Sequence, residues 1–230
     1  MNDGGGARPR LQLALDDIAL DAALRLGEAV RAHVDIIEIG TPFLLAEGMA
    51  PVRAFKARFP ELEIIADTKI ADAGEYEAEL GFAAGADGVT VLGMTDLLTV
   101  ASCLRAAARH GRRAVIDMIG VADLPGRIAA LEAIGATDLA VHTGVDQQAA
   151  GRTPLQDLRV MKACSRSCAI HVAGGITLDT LPDYLALGAA VVIVGSGIRH
   201  APDPAAAARA FHDAIRRFRP QARQDESEQR

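Results

Sequence analysis

Short apolar runs alternate with longer segments of helical spacing along nearly the whole chain. Eight runs stand out: LQLALD (11–16), VDIIEIG (34–40), EIIAD (63–67), GVTVLG (88–93), AVIDMIG (114–120), DLAVHTG (138–144), AIHVAGG (169–175) and AVVIVG (190–195). Near-continuous apolar runs suit strands buried on both faces, as in parallel sheets. The intervening segments carry apolar residues at helical spacing, as with Leu97, Val100, Leu104 and Ala108. Gly81, Gly85, Gly111, Gly135 and Gly188 fall where those helices should end, and glycine tolerates the left-handed turn found there. Eight such units predict an α/β protein of one domain, a (β/α)8 TIM barrel over residues 10–218. A doubly wound open sheet fits less well, because no GxGxxG follows the first run. Residues 1–9, with Gly4 to Gly6 and Pro9, predict a disordered N-terminus, and residues 219–230 a polar C-terminal tail.

Composition narrows the class. Half of the 230 residues are hydrophobic and 23% are charged, the balance of a globular protein that needs no covalent staples. A formal charge of −6 supplies no basic stripe for nucleic acid. No apolar run approaches the roughly 20 residues of a membrane span, and no hydrophobic stretch at the N-terminus suggests a signal peptide. Three cysteines cannot all pair within the chain. A soluble cytoplasmic protein is the expectation.

In such a barrel the chemistry sits where strands end, and the polar residues fall there. Asp16 ends the first run, Glu38 sits in the second, and Asp67 ends the third with Lys69 and Asp72 following. Asp117 lies in the fifth run and His142 in the sixth. Gly174-Gly175 follow the seventh and Gly195-Ser196 the eighth. Charges embedded in apolar strands are costly unless paired, so their shared position is informative. Asp67 and Lys69 project from one face if the extended chain continues. Asp72 either caps the next helix or belongs to the string Asp67-Thr-Lys69-Ile-Ala-Asp72, whose carboxylates would hold the lysine charged. Glu38 either pairs with Lys69 or joins Asp67 as a hard oxygen ligand for Mg²⁺, which needs only one or two protein carboxylates. Mn²⁺ would serve the same ligands. His142 is either structural or a general acid/base. The two glycine pairs are either tight turns or a backbone cradle for phosphate. Cys164-x-x-x-Cys168 has no partner pair for zinc. His171, inside the seventh run, has no evident role.

Asp16, the D-x-K-x-x-D string at 67–72, Glu38-Ile-Gly40 and the two glycine loops together resemble the orotidine 5′-monophosphate decarboxylase suprafamily. Within it, LQLALD, IIEIGTPFLLAEG, ADTKIADAGEYEA, VIDMIGV, VHTGVDQQAAG and HVAGGI are similar to the aldolase branch, the hexulose-phosphate synthases. The likeness covers about residues 10–215. It implies a reversible, Mg²⁺-dependent condensation of formaldehyde with D-ribulose 5-phosphate. It also implies metal ligands Glu38 and Asp67, catalytic roles for His142, Lys69, Asp72 and Asp117, and substrate contacts from Asp16, Gly174, Gly175, Gly195 and Ser196. By the same resemblance the protein works as a homodimer with shared sites, Asp72 entering the site of the second subunit. The sister branch, the 3-keto-L-gulonate-6-phosphate decarboxylases, typically carries Glu, Arg, Thr and Arg where this chain has Asp117, Val145, Ala173 and Ser196. The missing arginine at Val145 favours the aldolase branch. A barrel that binds sugar phosphate without turning it over is the alternative of another class, disfavoured because the catalytic string is intact.

Overall fold

The computed structural model describes residues 8–219, so the expectations for residues 1–7 and 220–230 lie outside the described residues. Each apolar run is a strand. These are β1 (Arg10–Leu15), β2 (Ile36–Ile39), β3 (Glu63–Ile70), β4 (Gly88–Leu92), β5 (Arg113–Asp117), β6 (Asp138–His142), β7 (Ala169–Ala173) and β8 (Val191–Val194). They pair parallel in chain order, and β8 closes on β1 with Arg10 opposite Val191 and Leu13 opposite Val194. The helices are α1 (Leu20–Val30), α2 (Thr41–Glu47), α3 (Ala50–Arg58), α4 (Gly74–Ala83), α5 (Leu97–His110) and α6 (Leu124–Ala133). They continue as α7 (Val145–Ala149), α8 (Leu155–Cys164), α9 (Leu181–Ala186), α10 (Ser196–Arg199) and α11 (Pro204–Arg217). The result is the expected (β/α)8 barrel, with two helices rather than one after β2, β6 and β8. Among the described residues no helix is long and apolar enough to cross a membrane.

The two faces of the strands do different work, because side chains alternate along a strand. The outward set includes Leu11, Leu13, Leu15, Ile37, Ile39, Ile64, Val89, Ile116, Leu139, Val172 and Val192, all buried in one continuous core beneath the helices. The inward set is mixed. Ile36, Ile65 and Val191, with Ile193 against them, form an apolar cluster inside the barrel. Below that cluster lies a charged floor. Arg10 of β1 pairs with Glu63 of β3 at 2.6 Å, and Arg113 of β5 also pairs with Glu63. Arg113 then reaches Asp138 of β6 at 3.6 Å, and His171 Nε2 of β7 lies 3.0 Å from the same carboxylate. This answers the question that His171 poses in the sequence. It is a buried ring on the inner face, hydrogen-bonded to a buried Asp138. Burial works to raise the Asp138 carboxyl, but the bond and charge of His171 outweigh it and hold the group below its ordinary range.

Gly85, Gly111, Gly135 and Gly188 do end helices with positive φ. Gly81 does not. It lies inside α4, where a Cβ would come within 2.6 Å of Val89 Cγ1, so its smallness serves packing of helix on strand. Gly74, at the start of α4, is tighter still. A Cβ there would stand 2.4 Å from both the Thr99 carbonyl and Ser102 Oγ of α5. Because backbone cannot step aside, Gly74→Ala should destabilise the fold by about 1–3 kcal/mol, read from the midpoint of urea unfolding.

Candidate active site

The last inward-facing positions of the strands line a cavity of about 450 Å³ at the C-terminal mouth of the barrel. Asp16, Glu38, Asp67, Lys69, Asp117, His142, Gly174, Gly175, Gly195 and Ser196 all line it. Of the residues that the sequence marks for a site, only Asp72 stands apart.

Lys69 is the hub. Its Nζ donates to Asp67 Oδ1 and Oδ2 and to Asp117 Oδ2, each at 2.9 Å, so all three ammonium donors are engaged. Burial opposes the charge, but the two carboxylates more than offset it and raise the lysine well above its usual range. Lys69 does not reach this place by simple extension of the strand. Its φ is +46°, and the pairing of β3 with β4 shifts register between Ala66 and Ile70. The Lys69 amide donates to Thr90 Oγ1 at 2.9 Å, and Thr90 Oγ1 donates to Asp67 Oδ1 at 2.7 Å. The local kink is thus held from β4. A left-handed conformation in a residue with a side chain costs about 1–3 kcal/mol, and it persists here because these contacts over-determine it.

Asp117 joins the hub to the histidine. Oδ2 receives Lys69 and lies 2.8 Å from His142 Nδ1, while Oδ1 accepts the Ile119 amide at 2.9 Å. Burial works to raise this carboxyl. The bond and charge of His142, then those of Lys69, overcome it and hold the group at about 2. An ionised carboxylate only accepts, so Nδ1 carries a proton, and in the neutral ring the lone pair falls on Nε2. The neutral ring is thereby arranged as a base.

Of the two readings of Glu38, the structure does not make the pairing with Lys69. Glu38 Oε2 instead accepts from Gln12 Nε2 on the neighbouring strand. Burial, and then the negative charge of Asp67, push the Glu38 carboxyl up to about 8. Gln12 Oε1 is buried with no hydrogen-bond partner. Thr41 Oγ1 lies within bonding distance of both Asp67 O (2.7 Å) and Asp67 Oδ2 (2.8 Å), and its single proton satisfies one of them. Two buried hard-oxygen groups thus repel each other beside an orphaned amide oxygen, and Asp67 keeps a lone pair to spare. That donor set fits a divalent cation that prefers oxygen and fills its remaining positions with water and substrate. Among the described residues no group of three or more His, Cys, Asp or Glu side chains is arranged to hold a metal ion.

Asp72 needs the larger correction. It is exposed and does not line the cavity, and its Oδ1 accepts only the Ala73 amide, at 2.7 Å. The reading of Asp67 and Asp72 flanking one ammonium gives way to Asp67 and Asp117. Nor does Asp72 cap α4, whose N-cap is Ala73 at φ +48° with no side-chain cap. The kink at Lys69 and the turn at Ala73 carry the end of the string away from the cavity.

On the far side, Gly174 (φ +123°) and Gly175 (φ +65°) turn the chain after β7. A Cβ on Gly174 would come within 2.7 Å of the Thr143 carbonyl. Asp16 stands between the strand ends, with one carboxylate oxygen where a Cβ on Gly40 would be and the other 3.7 Å from a Cβ on Gly195. Burial raises its carboxyl, and the Arg199 charge opposes this. Gln12, Thr41, Thr90 and Arg199 were missed in the sequence. Gln12 had a signal, since Gln12, Ala14 and Asp16 alternate on one face of β1 and all line the cavity.

Fold and site together define a (β/α)8-barrel enzyme with a lysine-centred acidic cluster opposite a glycine-lined wall. The chain belongs to the orotidine 5′-phosphate decarboxylase / HUMPS family, whose model matches residues 9–211. It is 43% identical over 197 residues to a 3-hexulose-6-phosphate synthase of Methylomonas aminofaciens, covering 86% of this chain and 94% of that one. The crystal structure of a 3-hexulose-6-phosphate synthase from Salmonella typhimurium is 53% identical. It superposes with a TM-score of 0.88, covering 90% of this chain and 98% of that one. The crystal structure of a ligand complex of KGPDC from Streptococcus mutans is 30% identical with a TM-score of 0.85, covering 91% and 98%.

The Asp117 geometry makes a pH prediction. A carboxyl depressed when folded contributes stability that is complete above its ordinary value near 4 and is lost as pH falls through about 2. Asp117→Asn should make the fall in stability between about pH 4 and 2 shallower, by up to about 1.4 kcal/mol per pH unit, measured by urea unfolding at each pH.

Proposed function

We propose that this protein is an aldolase, a carbon–carbon lyase, that joins formaldehyde to C1 of D-ribulose 5-phosphate and reverses the same reaction. The product of the forward direction is D-arabino-hex-3-ulose 6-phosphate. The observation that carries the reading is the single Asp117 oxygen shared by Lys69 and His142, which leaves His142 Nε2 as the free base at the cavity. Relatives 40–43% identical over nearly the whole chain bear the name 3-hexulose-6-phosphate synthase, which supports it.

The chemistry follows from the residues. His142 Nε2 takes the C1 proton next to the ketone of the sugar phosphate. Asp117 keeps the ring in the correct tautomer and stabilises the imidazolium that forms. Lys69, fixed and fully charged, faces the negative charge that develops on the sugar oxygens. C1 then attacks the formaldehyde carbon, and the new alkoxide takes up a proton. Mg²⁺ held by Glu38 and Asp67 would supply Lewis-acid neutralisation of the same charge, and Mn²⁺ suits the same ligands. The phosphate rests on the wall of Gly174, Gly175, Gly195 and Ser196, away from the reacting carbon, and fixes the register of the sugar. Asp16 binds sugar hydroxyls between the two regions. The 3-keto-L-gulonate 6-phosphate decarboxylation is the weaker reading, since Val145 at the cavity rim is 80% exposed and offers no cation for a carboxylate.

The active unit is a homodimer in which Asp72 completes the site of the second subunit. Tyr76, Met94 and Leu98 are large apolar side chains, 62–79% exposed, on the rim that Asp72 shares. Thr95 Oγ1 donates to the Ala71 carbonyl, which ties the loops after β3 and β4 into one surface. The acidic net charge and three free cysteines agree with a cytoplasmic setting.

Two assays test this. Formaldehyde should disappear only with D-ribulose 5-phosphate and a divalent cation both present, and EDTA should abolish the loss. Consumption that survives EDTA, or none with any metal, would sink the assignment. Asp72→Asn and Lys69→Ala should each be inactive dimers. Mixed and allowed to exchange subunits, they should regain about a quarter of wild-type activity, because half the dimers then carry one intact site. No recovery in verified heterodimers would rule out shared sites.

A further inference from the structure

We propose that Arg199 is the cation that reads the substrate's phosphate, an inference that rests on the sugar-phosphate reading of the cavity. The wall assigned to the phosphate consists of glycine backbone and the Ser196 hydroxyl, which carry no formal charge. Five acidic residues, Asp16, Asp17, Glu38, Asp67 and Asp117, line the same cavity. A dianion drawn into such a place needs a cation near it. Two permanent cations line the cavity among the described residues, Lys69 and Arg199. Lys69 has every donor committed to Asp67 and Asp117. Arg199 does not. Its Nη1 donates to the Asp17 carbonyl at 2.6 Å, and its Nε is buried with no hydrogen-bond partner.

The bond to Asp17 uses one of the five guanidinium N–H donors, so others remain for an acceptor that arrives in the cavity. Arg199 lies in α10, three residues beyond Ser196, and so belongs to the segment that forms the glycine wall after β8. Its charge is felt inside the cavity, since it is the chief influence lowering the Asp16 carboxyl against burial. The flat guanidinium matches two phosphate oxygens at once, whereas a lysine offers only a point charge. The bond to Asp17 holds the side chain across the gap between the β1 and β8 ends, so little freedom is lost when the anion binds.

The test uses the full-length enzyme with D-ribulose 5-phosphate and formaldehyde, and inorganic phosphate as competitor. Arg199→Gln should raise both KM for the sugar phosphate and the inhibition constant of phosphate by about 10- to 100-fold, with kcat within a few-fold of wild type. Arg199→Lys should fall between the two. Phosphate should raise the melting temperature of the wild type and leave that of Arg199→Gln unmoved. Unchanged KM and phosphate inhibition in a folded Arg199→Gln protein would overturn the role of Arg199 and leave the aldolase reading standing. A fall in kcat with KM unchanged would equally overturn it, marking the residue as a strut for the Asp17 loop. Should Arg199→Gln not fold, the same constants are read on Arg199→Lys, and wild-type values there overturn the proposal. A wild-type enzyme that neither consumes formaldehyde with the sugar phosphate nor responds to phosphate would instead overturn the sugar-phosphate reading itself.

Discussion

The ammonium of Lys69, clamped between Asp67 and Asp117, is the interaction on which the site depends. Of its three bonds of 2.9 Å, two tie Lys69 back to Asp67 within β3 and the third joins β3 to β5 at the mouth of the barrel. Remove that charge and two buried carboxylates lose the cation between them, a loss of several kcal/mol for a buried ion pair. The same clamp sets the chemistry of its neighbours. It helps keep Asp117 ionised, which fixes the tautomer of His142. Beside it, burial and then the negative charge of Asp67 drive the Glu38 carboxyl up, against the pull of the Gln12 bond and of Lys69.

The barrel supports this cluster through the alternation of its strands. Outward positions are almost wholly aliphatic and anchor the strands to the helices. Inward positions change character with height, from a floor of ion pairs through a small apolar cluster to the acidic mouth. The floor binds β1, β3, β5, β6 and β7 to one another beneath the cavity. The site is thus held by strands rather than by loops alone, and a site mounted on rigid elements keeps its geometry more closely. Of the two left-handed non-glycine residues, Lys69 at φ +46° and Ala73 at φ +48°, Lys69 sits where the chemistry is, and Thr90 and Asp67 keep it there.

In the proposed reaction the two ends of the substrate make opposite demands. The reacting end needs concentrated charge of both signs, supplied by Glu38, Asp67, Lys69 and the Asp117–His142 pair. The phosphate end needs open backbone, supplied in part by Gly174 and Gly175, whose conformations and close contacts disfavour a side chain. Separating the two keeps a strongly charged anchor away from the carbon that must lose a proton. Binding energy spent at the anchor can then hold the sugar in register without interfering with the reaction.

Much of this was legible along the chain. Eight apolar runs became eight parallel strands because a strand buried on both faces must be apolar throughout, and that demand is written locally. The polar residues at the strand ends, except Asp72, line one cavity for the same reason: a charge in such a run survives only where it has a partner or a ligand. The pairings themselves were not legible. That Lys69 bonds Asp117 rather than Asp72, and Glu38 bonds Gln12 rather than Lys69, depends on a register shift in β3 and on closure of the sheet. Likewise His171 acquired a partner only when β7 was laid beside β6, and Arg199 entered the cavity only when β8 closed on β1. Periodicity along a chain fixes which face a side chain takes. Which partner it meets is decided by residues far away in sequence, once the barrel brings them together.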